Sequence, residues 1–370
     1  MAAIELRGMP GLWQRIAGLF GSLLAMGGAK AIELPEDRAE GLYHLYKGGG
    51  VTADGPALLV RKSLADKVSL SGSYYVDAVS NASIDVVTTA SKFKETRKAY
   101  DFGVDYAYRD SLMSLGVYRS KEPDYQADSV SIDVAQEVYG NMTTVALGFT
   151  RGVDKVLKAG EPSFSDSAKH WQYRLGITQV LTPRLLGSAN LEVVSDDGYL
   201  GNPYRVARVF GASVPERNPR TRTSRALKFK LIGDLGERNA ARVEYRYFWD
   251  TWDIKAHTLE AGYSRYVGND WLADGFVRFY KQGQALFYSD NASSETLYLS
   301  RNRQLSDFRS FGLGGKLSYT AKRVPGQYEL KIVGSIERIR FNYGNFTDIR
   351  TRKAYDFDAN LLQLYVTATF

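Results

Sequence analysis

The sequence contains no cysteine, little proline and only three histidines among its 370 residues. The absence of cysteine excludes disulfides, thiolate metal sites, covalently attached haem and a lipidated amino-terminal cysteine. Ten prolines are few for a chain of this length, and 35 glycines and 25 tyrosines accompany them. This balance suits long β-strands bordered by aromatic residues.

Long hydrophobic runs are also missing. Outside the amino-terminal segment, no apolar run approaches the roughly 20 residues that a transmembrane helix requires, and the mean hydropathy is −0.30. A transmembrane barrel escapes this test because only alternate residues of each strand face lipid. The net charge of +7 comes from interleaved basic and acidic residues. No basic stripe accompanies a recognisable nucleic-acid-binding module, so we expect no nucleic acid partner.

Residues 1–31 have the pattern of an export signal. Two arginines precede the apolar segment 16–26, and Ala29 and Ala31 supply a small-x-small cleavage pattern. An amphipathic amino-terminal helix is the alternative. The sequence therefore predicts a signal peptide over 1–31 and a single domain over 32–370.

Apolar and polar residues alternate in one segment after another from residue 39 onward. In 97–108 every even position from 100 to 108 is apolar or aromatic, and the closing segment 361–370 alternates up to Phe370. This two-residue period predicts strands with one apolar face and one polar face. A soluble β-sandwich also alternates, but its strands are shorter, about 5–6 residues. Here many segments run to about 10 residues or more, the membrane-crossing length of a tilted strand.

The connections between these segments fall into two alternating classes. Every second one is short and carries Gly, Asn, Asp or Pro. The intervening connections are longer, at 81–96, 120–127, 152–169, 196–221, 288–305 and 342–355. Short turns at one rim and long loops at the other are typical of outer-membrane barrels.

The sequence therefore predicts an all-β fold, a transmembrane antiparallel up-and-down β-barrel. We expect about 16 strands, or about 14 if the weak first segment is not a strand, with short periplasmic turns and long extracellular loops. Such a protein resides in the outer membrane of a Gram-negative cell. There the terminal Phe370 is expected to act as an assembly signal read by the barrel-insertion machinery.

The polar face of the strands is predicted to line the lumen, and it carries charges of both signs. These charges line a water-filled pore or pair across the interior and close it, and the sequence leaves both possibilities open. The predicted lumen-lining charges are Asp77, Asp101, Asp105, Asp133, Glu137, Arg174, Glu192, Lys228, Lys230, Glu244, Arg246, Glu260, Arg278, Lys316, Lys331 and Glu337.

The scarce histidines give little support to an enzyme. His170 has the parity of the lumen-facing positions on its strand, and it follows the Ser-Asp-Ser run 165–167. A Ser-His-Asp site is therefore conceivable. Any polar loop, however, supplies such residues by chance. His257 has lipid-facing parity, which favours an interfacial belt, and His44 lies on the weak first segment. We therefore predict no catalytic residues.

Segment 195–202 concentrates Asp and Asn oxygens, which calcium prefers. Its spacing does not fit the twelve-residue calcium loop, and an Asx turn opening a long loop explains it better. We therefore expect no metal and no cofactor.

The predicted loop 196–221 and its border are rich in arginine. An inward-folded loop of this kind forms a constriction that favours anions. Alternatively, the arginines bind lipopolysaccharide phosphates at the outer rim. The residues concerned are Arg205, Arg208, Arg217, Arg220 and Arg222.

Several blocks of the sequence resemble an uncharacterised bacterial outer-membrane β-barrel family, the domain of unknown function thirty-five seventy. The resemblance covers nearly all of the chain after residue 31. It rests on segments 43–62, 65–67, 74–80, 82–88, 195–205 and 219–223.

The resemblance implies an outer-membrane barrel without known catalytic residues. Genes of the family often lie beside those of a small lipoprotein and a flavin-attaching enzyme, although this chain has no haem or flavin-attachment motif. The leading hypothesis is a pore or transport conduit of unknown substrate. The alternative is a scaffold housing a lipoprotein or a flavin-linked redox partner, and an outer-membrane hydrolase is disfavoured. Outer-membrane lipid and lipopolysaccharide are the remaining expected partners.

Overall fold

The computed structural model of the protein describes residues 32–81 and 93–370. The predicted signal peptide lies outside these residues. The strands are β1 (Arg38–Gly48), β2 (Val51–Ala65), β3 (Val68–Asn81), β4 (Phe93–Tyr108), β5 (Ser111–Lys121), β6 (Tyr125–Val138), β7 (Thr143–Leu157), β8 (Ser165–Thr182), β9 (Leu185–Gly198), β10 (Val206–Val209), β11 (Ala212–Pro215), β12 (Thr221–Gly236), β13 (Asn239–Asp250), β14 (Lys255–Val267), β15 (Trp271–Gln282), β16 (Phe308–Val324), β17 (Tyr328–Asp348) and β18 (Lys353–Thr369).

Sixteen of these strands form one closed antiparallel barrel, and β10 and β11 form a separate two-stranded hairpin. Consecutive barrel strands pair with each other, and β18 pairs with β1 to complete the ring. Closure leaves no unpaired sheet edge, which is the condition for a sheet to cross a membrane. The predicted fold is therefore confirmed, including the weak first strand.

Alternation along each strand separates an apolar outer surface from a polar interior. On β4, Phe102 is 65% exposed while the neighbouring Asp101 is partly covered, and on β18 Leu364 is 58% exposed while Gln363 is partly covered. The outward apolar side chains form a belt around the barrel, which we call the apolar belt. In water this belt would be a large exposed hydrophobic surface, whereas in a membrane the lipid acyl chains cover it.

The two rims of the barrel differ in their connections. At the turn rim, which also holds the start of β1 and the end of β18, the strands are joined by the short turns 66–67, 109–110, 139–142, 183–184, 237–238, 268–270 and 325–327. In the 237–238 turn both residues have positive φ, 49° for Glu237 and 64° for Arg238. That geometry matches the right-handed twist of the strands it joins.

At the opposite rim, the loop rim, several predicted loop boundaries were wrong. The predicted loop 120–127 is reduced to 122–124 between β5 and β6, and 342–355 is reduced to 349–352 between β17 and β18. The strands extend beyond the apolar belt with polar outer faces, so the hydrophobic alternation fades before the ladder ends. The predicted loop 81–96 falls largely outside the described residues.

Among the described residues, two long connections remain at the loop rim. The hairpin loop, residues 199–220, joins β9 to β12 and contains β10 and β11. The anchored loop, residues 283–307, joins β15 to β16 and contains a single 3-10 turn, Arg303–Leu305. Within the described ranges, no helix has the length and hydropathy needed to span a membrane.

Candidate functional site

The hairpin loop and the anchored loop are joined to each other. Isolated bridges link Val209 to Ala292 and Arg217 to Leu299. The Arg217 guanidinium also donates to the Glu295 carboxylate at 2.6 Å. The two loops therefore form one layer, although they leave the barrel from different strands.

An apolar cluster fixes the anchored loop to the inner wall of the barrel. Tyr288 and Leu305 from the loop pack with Trp252, Tyr280 and Phe346 from the wall and its rim, and all five are buried. The Tyr288 hydroxyl also donates to the Asn345 carbonyl at 3.0 Å. Burial of such side chains stabilises by about 1.5–3 kcal/mol each, so the loop is held inside the barrel mouth.

Beneath this layer lies a lumen cavity of about 670 Å³. Its wall comes from strands between β4 and β15, and its cover comes from both loops. The cover residues that line it are Tyr199, Leu200, Gly201, Asn218, Asn302, Gln304 and Leu305. Because loop and wall share one cavity, the loops narrow the lumen at the loop rim.

His170 occupies the polar side of this cavity. Its Nδ1 lies 2.6 Å from the Asp196 carboxylate, and its Nε2 lies 2.6 Å from the Asp154 carboxylate. Both ring nitrogens therefore lie within hydrogen-bond distance of carboxylates. Ser165 and Ser167 have the opposite strand parity to His170 and are exposed. The conceivable Ser-His-Asp site is thus not assembled.

A second set of cavity-lining charges is paired in the same way. Arg222 contacts the Asp250 carboxylate at 2.5 Å, and its guanidinium lies 4.5 Å from the Trp252 ring centroid. Arg246 lies 3.9 Å from the Glu192 carboxylate. The cavity lining therefore combines paired charges with aromatic surface, which gives no strong excess of positive or negative charge.

The predicted lumen-lining charges are all buried or partly covered, while most of them have an exposed strand neighbour on the outer face. Most of their ion pairs run along the wall between strands one or two positions apart, such as Lys228–Glu244 at 3.9 Å and Arg278–Glu260 at 3.1 Å, whereas Lys331 pairs with Glu329 on its own strand. The members in ion pairs are Asp77, Asp105, Asp133, Arg174, Glu192, Lys228, Glu244, Arg246, Glu260, Arg278, Lys331 and Glu337. Such pairs line the wall and do not bridge the lumen.

A deeply buried group of charges surrounds His44, to which the sequence assigned no role. Its Nε2 lies 2.7 Å from the Asp77 carboxylate, and Asp77 contacts Arg97 at 2.6 Å. The imidazole stacks on Tyr75, with ring centroids 4.9 Å apart. The side chains of Asp77 and Arg97 are 2% and 1% exposed. This cluster ties β1, β3 and β4 together on the inner wall.

The loop arginines serve mainly to hold the loops. Arg208 donates to the Gly211 carbonyl at 2.9 Å within the hairpin loop, and Arg220 makes two 2.8 Å bonds to Asp166. The hydrogen bond to Asp166 raises the pKa of Arg220 further above its usual value. Among the five arginines predicted to form a constriction or to bind lipopolysaccharide, Arg222 lines the described cavity. Its guanidinium is paired with the Asp250 carboxylate.

Tyr199 supplies a hydroxyl at the cavity cover. Burial raises its pKa to about 12, and the nearby carboxylates of Glu216 and Asp166 act in the same direction. The phenol therefore stays protonated at neutral pH and is available as a hydrogen-bond donor. Sequence reasoning missed Tyr199, because only the folding of the loop over the lumen brings it to the cavity.

The oxygen-rich segment 195–202 does not converge on one point. Asp196 faces inward to His170, whereas its neighbour Asp197 is exposed on the outer face. Elsewhere, Glu95, Glu122 and Asp124 bring carboxylate oxygens within 4.8 Å of one another. They lie on β4 and at the β5–β6 turn, so the sequence spacing gave no signal for this cluster.

Two further predicted positions lie on the outer surface. His257 is exposed beside Tyr247, with ring centroids 5.0 Å apart, and its Nδ1 lies 2.7 Å from the Tyr245 hydroxyl. This is the aromatic belt position that its parity indicated. Phe370 lies at the turn rim, where its N–H donates to the Asp37 carbonyl at 3.1 Å.

A family model described as "Protein of unknown function (DUF3570)" matches residues 87–168 and 155–332. The matched residues make up more than half of the chain, and the chain belongs to this family. The resemblance seen in the sequence is therefore confirmed. No curated protein matches the chain.

Solved structures with the same kind of fold are outer-membrane barrels. A bacterial polysaccharide outer membrane secretin is 8% identical, with a TM-score of 0.50, over 90% of this chain and 97% of that chain. OmpT of Vibrio cholerae, with loop L8 deleted, is 9% identical over 90% and 97% of the two chains, with a TM-score of 0.46. OpdK of Pseudomonas aeruginosa, solved with vanillate, is 11% identical over 91% and 100%, with a TM-score of 0.45. At these identities the likeness shows the fold alone.

Proposed function

We propose that the protein is an outer-membrane conduit for small polar solutes. The observation that carries this proposal is the cavity of about 670 Å³ beneath the two inward loops, which is lined by paired charges and aromatic side chains. Cavities of this size hold molecules up to the size of a typical drug. A wall of paired charges favours neutral or zwitterionic solutes over ions of one sign, because no strong single-sign field selects between ions.

Conductance of the purified protein in planar bilayers tests this proposal. We expect discrete channels with weak ion selectivity. A variant in which residues 286–299 of the anchored loop are replaced by a short Gly-Ser linker should conduct more, because the layer over the cavity loses its tip. A variant with Lys322→Gln and Arg323→Gln, both exposed at the turn rim, is the control and should conduct like the unmodified protein.

Two outcomes contradict the conduit. One is the absence of conductance in both the unmodified and the loop-shortened protein. The other is a loop-shortened variant whose conductance and solute size limit do not change, which would show that the loops do not narrow the path. Uncharged polymers of graded size measure that limit directly.

The second candidate is a scaffold that houses a small lipoprotein or a flavin-bearing envelope protein. The observation that favours it is the layer of loops at the loop rim, because a barrel covered at one mouth can hold a partner that enters from the other. Purification from native membranes, followed by mass spectrometry, tests this role. A stoichiometric partner without conductance supports the scaffold, whereas conductance without a partner contradicts it.

A further inference from the structure

Three basic side chains stand side by side on the outer wall, just above the apolar belt. His257 of β14 is directly opposite Lys281 of β15, and Lys281 is directly opposite Arg309 of β16. All three are exposed. Directly opposed residues on one face of a sheet have Cβ atoms about 4.5–5.5 Å apart. The three therefore form a continuous outer patch, which we call the basic patch.

The basic patch lies one step toward the loop rim from the apolar belt. Each of its residues is two positions from a belt residue on the same strand face, and these are Leu259, Phe279 and Phe311. The belt residues are 48%, 44% and 53% exposed, respectively. Successive residues on one strand face are about 6.6 Å apart. The patch is therefore at the depth of the lipid headgroups.

No carboxylate in the described part of the chain neutralises the centre of this patch. Among the described residues, Lys281 and Arg309 have no carboxylate oxygen within the 4.0 Å of an ion pair, whereas the nearby Lys255 contacts Asp253 at 3.0 Å. The acid next to Arg309 in sequence, Asp307, has its Oδ1 beside Gly344. Like charges directly opposite each other destabilise a sheet. The arrangement is thus incomplete without an anion.

We propose that the basic patch binds a phosphate group of lipopolysaccharide in the outer leaflet. Lys281 and Arg309 donate charge-assisted hydrogen bonds to the phosphate oxygens, while acyl chains of the same molecule cover the apolar belt below. His257 is oriented by its contact with the Tyr245 hydroxyl and borders the same phosphate. This site is independent of the proposed conduit, because all its residues face away from the lumen.

The test compares lipopolysaccharide binding by matched variants of the purified protein in detergent. One variant carries Lys281→Gln and Arg309→Gln. The control carries Lys322→Gln and Arg323→Gln, which removes the same charge from exposed positions at the other end of β16. We expect at least about a tenfold weaker lipopolysaccharide affinity for the first variant, because two charge-assisted bonds are lost, and no change for the control.

Other ligands identify the group that is bound. Lipopolysaccharide from which the lipid A phosphates have been removed should bind the unmodified protein as weakly as intact lipopolysaccharide binds the patch variant. Inorganic phosphate should not compete at millimolar concentration, because it lacks the acyl chains. Equal lipopolysaccharide affinity for the patch variant and the control overturns the proposal, and so does undiminished binding of the dephosphorylated lipid. Unchanged β-sheet circular dichroism confirms that each variant is folded.

Discussion

The two sides of the barrel interior near the loop rim differ in what their inward residues contact. On the side of β13 to β18, inward residues such as Tyr280 and Phe308 form an apolar core with the anchored loop. On the side of β4 to β9, the equivalent positions carry Asp154, His170 and Asp196, which line the cavity. Both walls therefore line the cavity, but one presents aromatic side chains that hold the anchored loop, and the other presents charged side chains.

This difference shows that strand parity alone does not define a lumen surface. An inward aromatic residue in a water-filled barrel exposes apolar area, which is costly unless another element covers it. The aromatic side therefore requires a covering segment, and the anchored loop supplies it. The polar side needs no cover, because its charges satisfy one another along the wall.

Replacing Asp77 by Asn on β3, which borders the polar side, should destabilise the barrel most. The change deprives the buried Arg97 guanidinium of its 2.6 Å carboxylate partner. Breaking a buried pair by removing one member costs about 3–5 kcal/mol. Urea unfolding of the protein in lipid vesicles measures this loss. The control is Asp128→Asn, which removes an exposed partner of Arg119 on the outer wall, and its unfolding midpoint should stay unchanged.

Replacing Phe346 by Ala on the apolar side should release the anchored loop. Phe346 is 0% exposed, and the Arg301 guanidinium lies 4.4 Å from its ring centroid. The loss should be about 3 kcal/mol, the lower end of the range for such truncations, because a loop relaxes more easily than a barrel wall. Trypsin should then cleave at Arg301 or Arg303, which are buried in the unmodified protein.

Tyr139→Ala is the matched control for this prediction. It truncates an aromatic side chain that is 78% exposed at the turn rim. This variant should remain resistant to trypsin within the anchored loop. Equal resistance of the Phe346 variant would show that the apolar core does not hold the loop.

Replacing Asp196 by Asn should shift ion selectivity toward anions. Asp196 lines the cavity, so the loss of its charge changes the field along the path. Reversal potentials in a salt gradient measure the shift. Asp197→Asn removes the same charge from the next residue, which is exposed on the outer wall, and should leave the potential unchanged. Equal shifts in both variants would show that the cavity is not the path.

The smallest effect is expected for Arg205→Ala combined with Arg208→Ala. Neither residue lines the described cavity, and Arg208 serves the hairpin loop through the Gly211 carbonyl. Ion selectivity should therefore match that of the unmodified protein within error. A clear loss of anion preference would restore the arginine constriction as the selective element.

The strands could be predicted from the sequence because their alternation is local and repeats in every membrane-crossing segment. The partner of His170 could not be predicted from the turn alone. Counted from the turn at 183–184, His170 would lie opposite Asp197, and the register shift between Val180 and Thr182 places it opposite Asp196 instead. The packing of the anchored loop could not be predicted either, because the cluster that includes Leu305 and Tyr343 forms only in the closed barrel. The ends of the strands at the loop rim could not be predicted either. There the strands continue beyond the apolar belt, and apolar and polar residues no longer alternate.

The ladder between β1 and β18 has a consequence for the kinetics of folding. It pairs Arg38 with Thr369 and Gly48 with Ala359, whereas the other barrel ladders join strands that follow each other along the chain. Neighbouring hairpins form at a low entropic cost, but this ladder must close a loop that spans nearly the whole domain. Until it forms, two strand edges remain open to pairing with other chains. The rate of folding thus depends on the pairing of β1 with β18, while the stability of the barrel comes from all of its ladders.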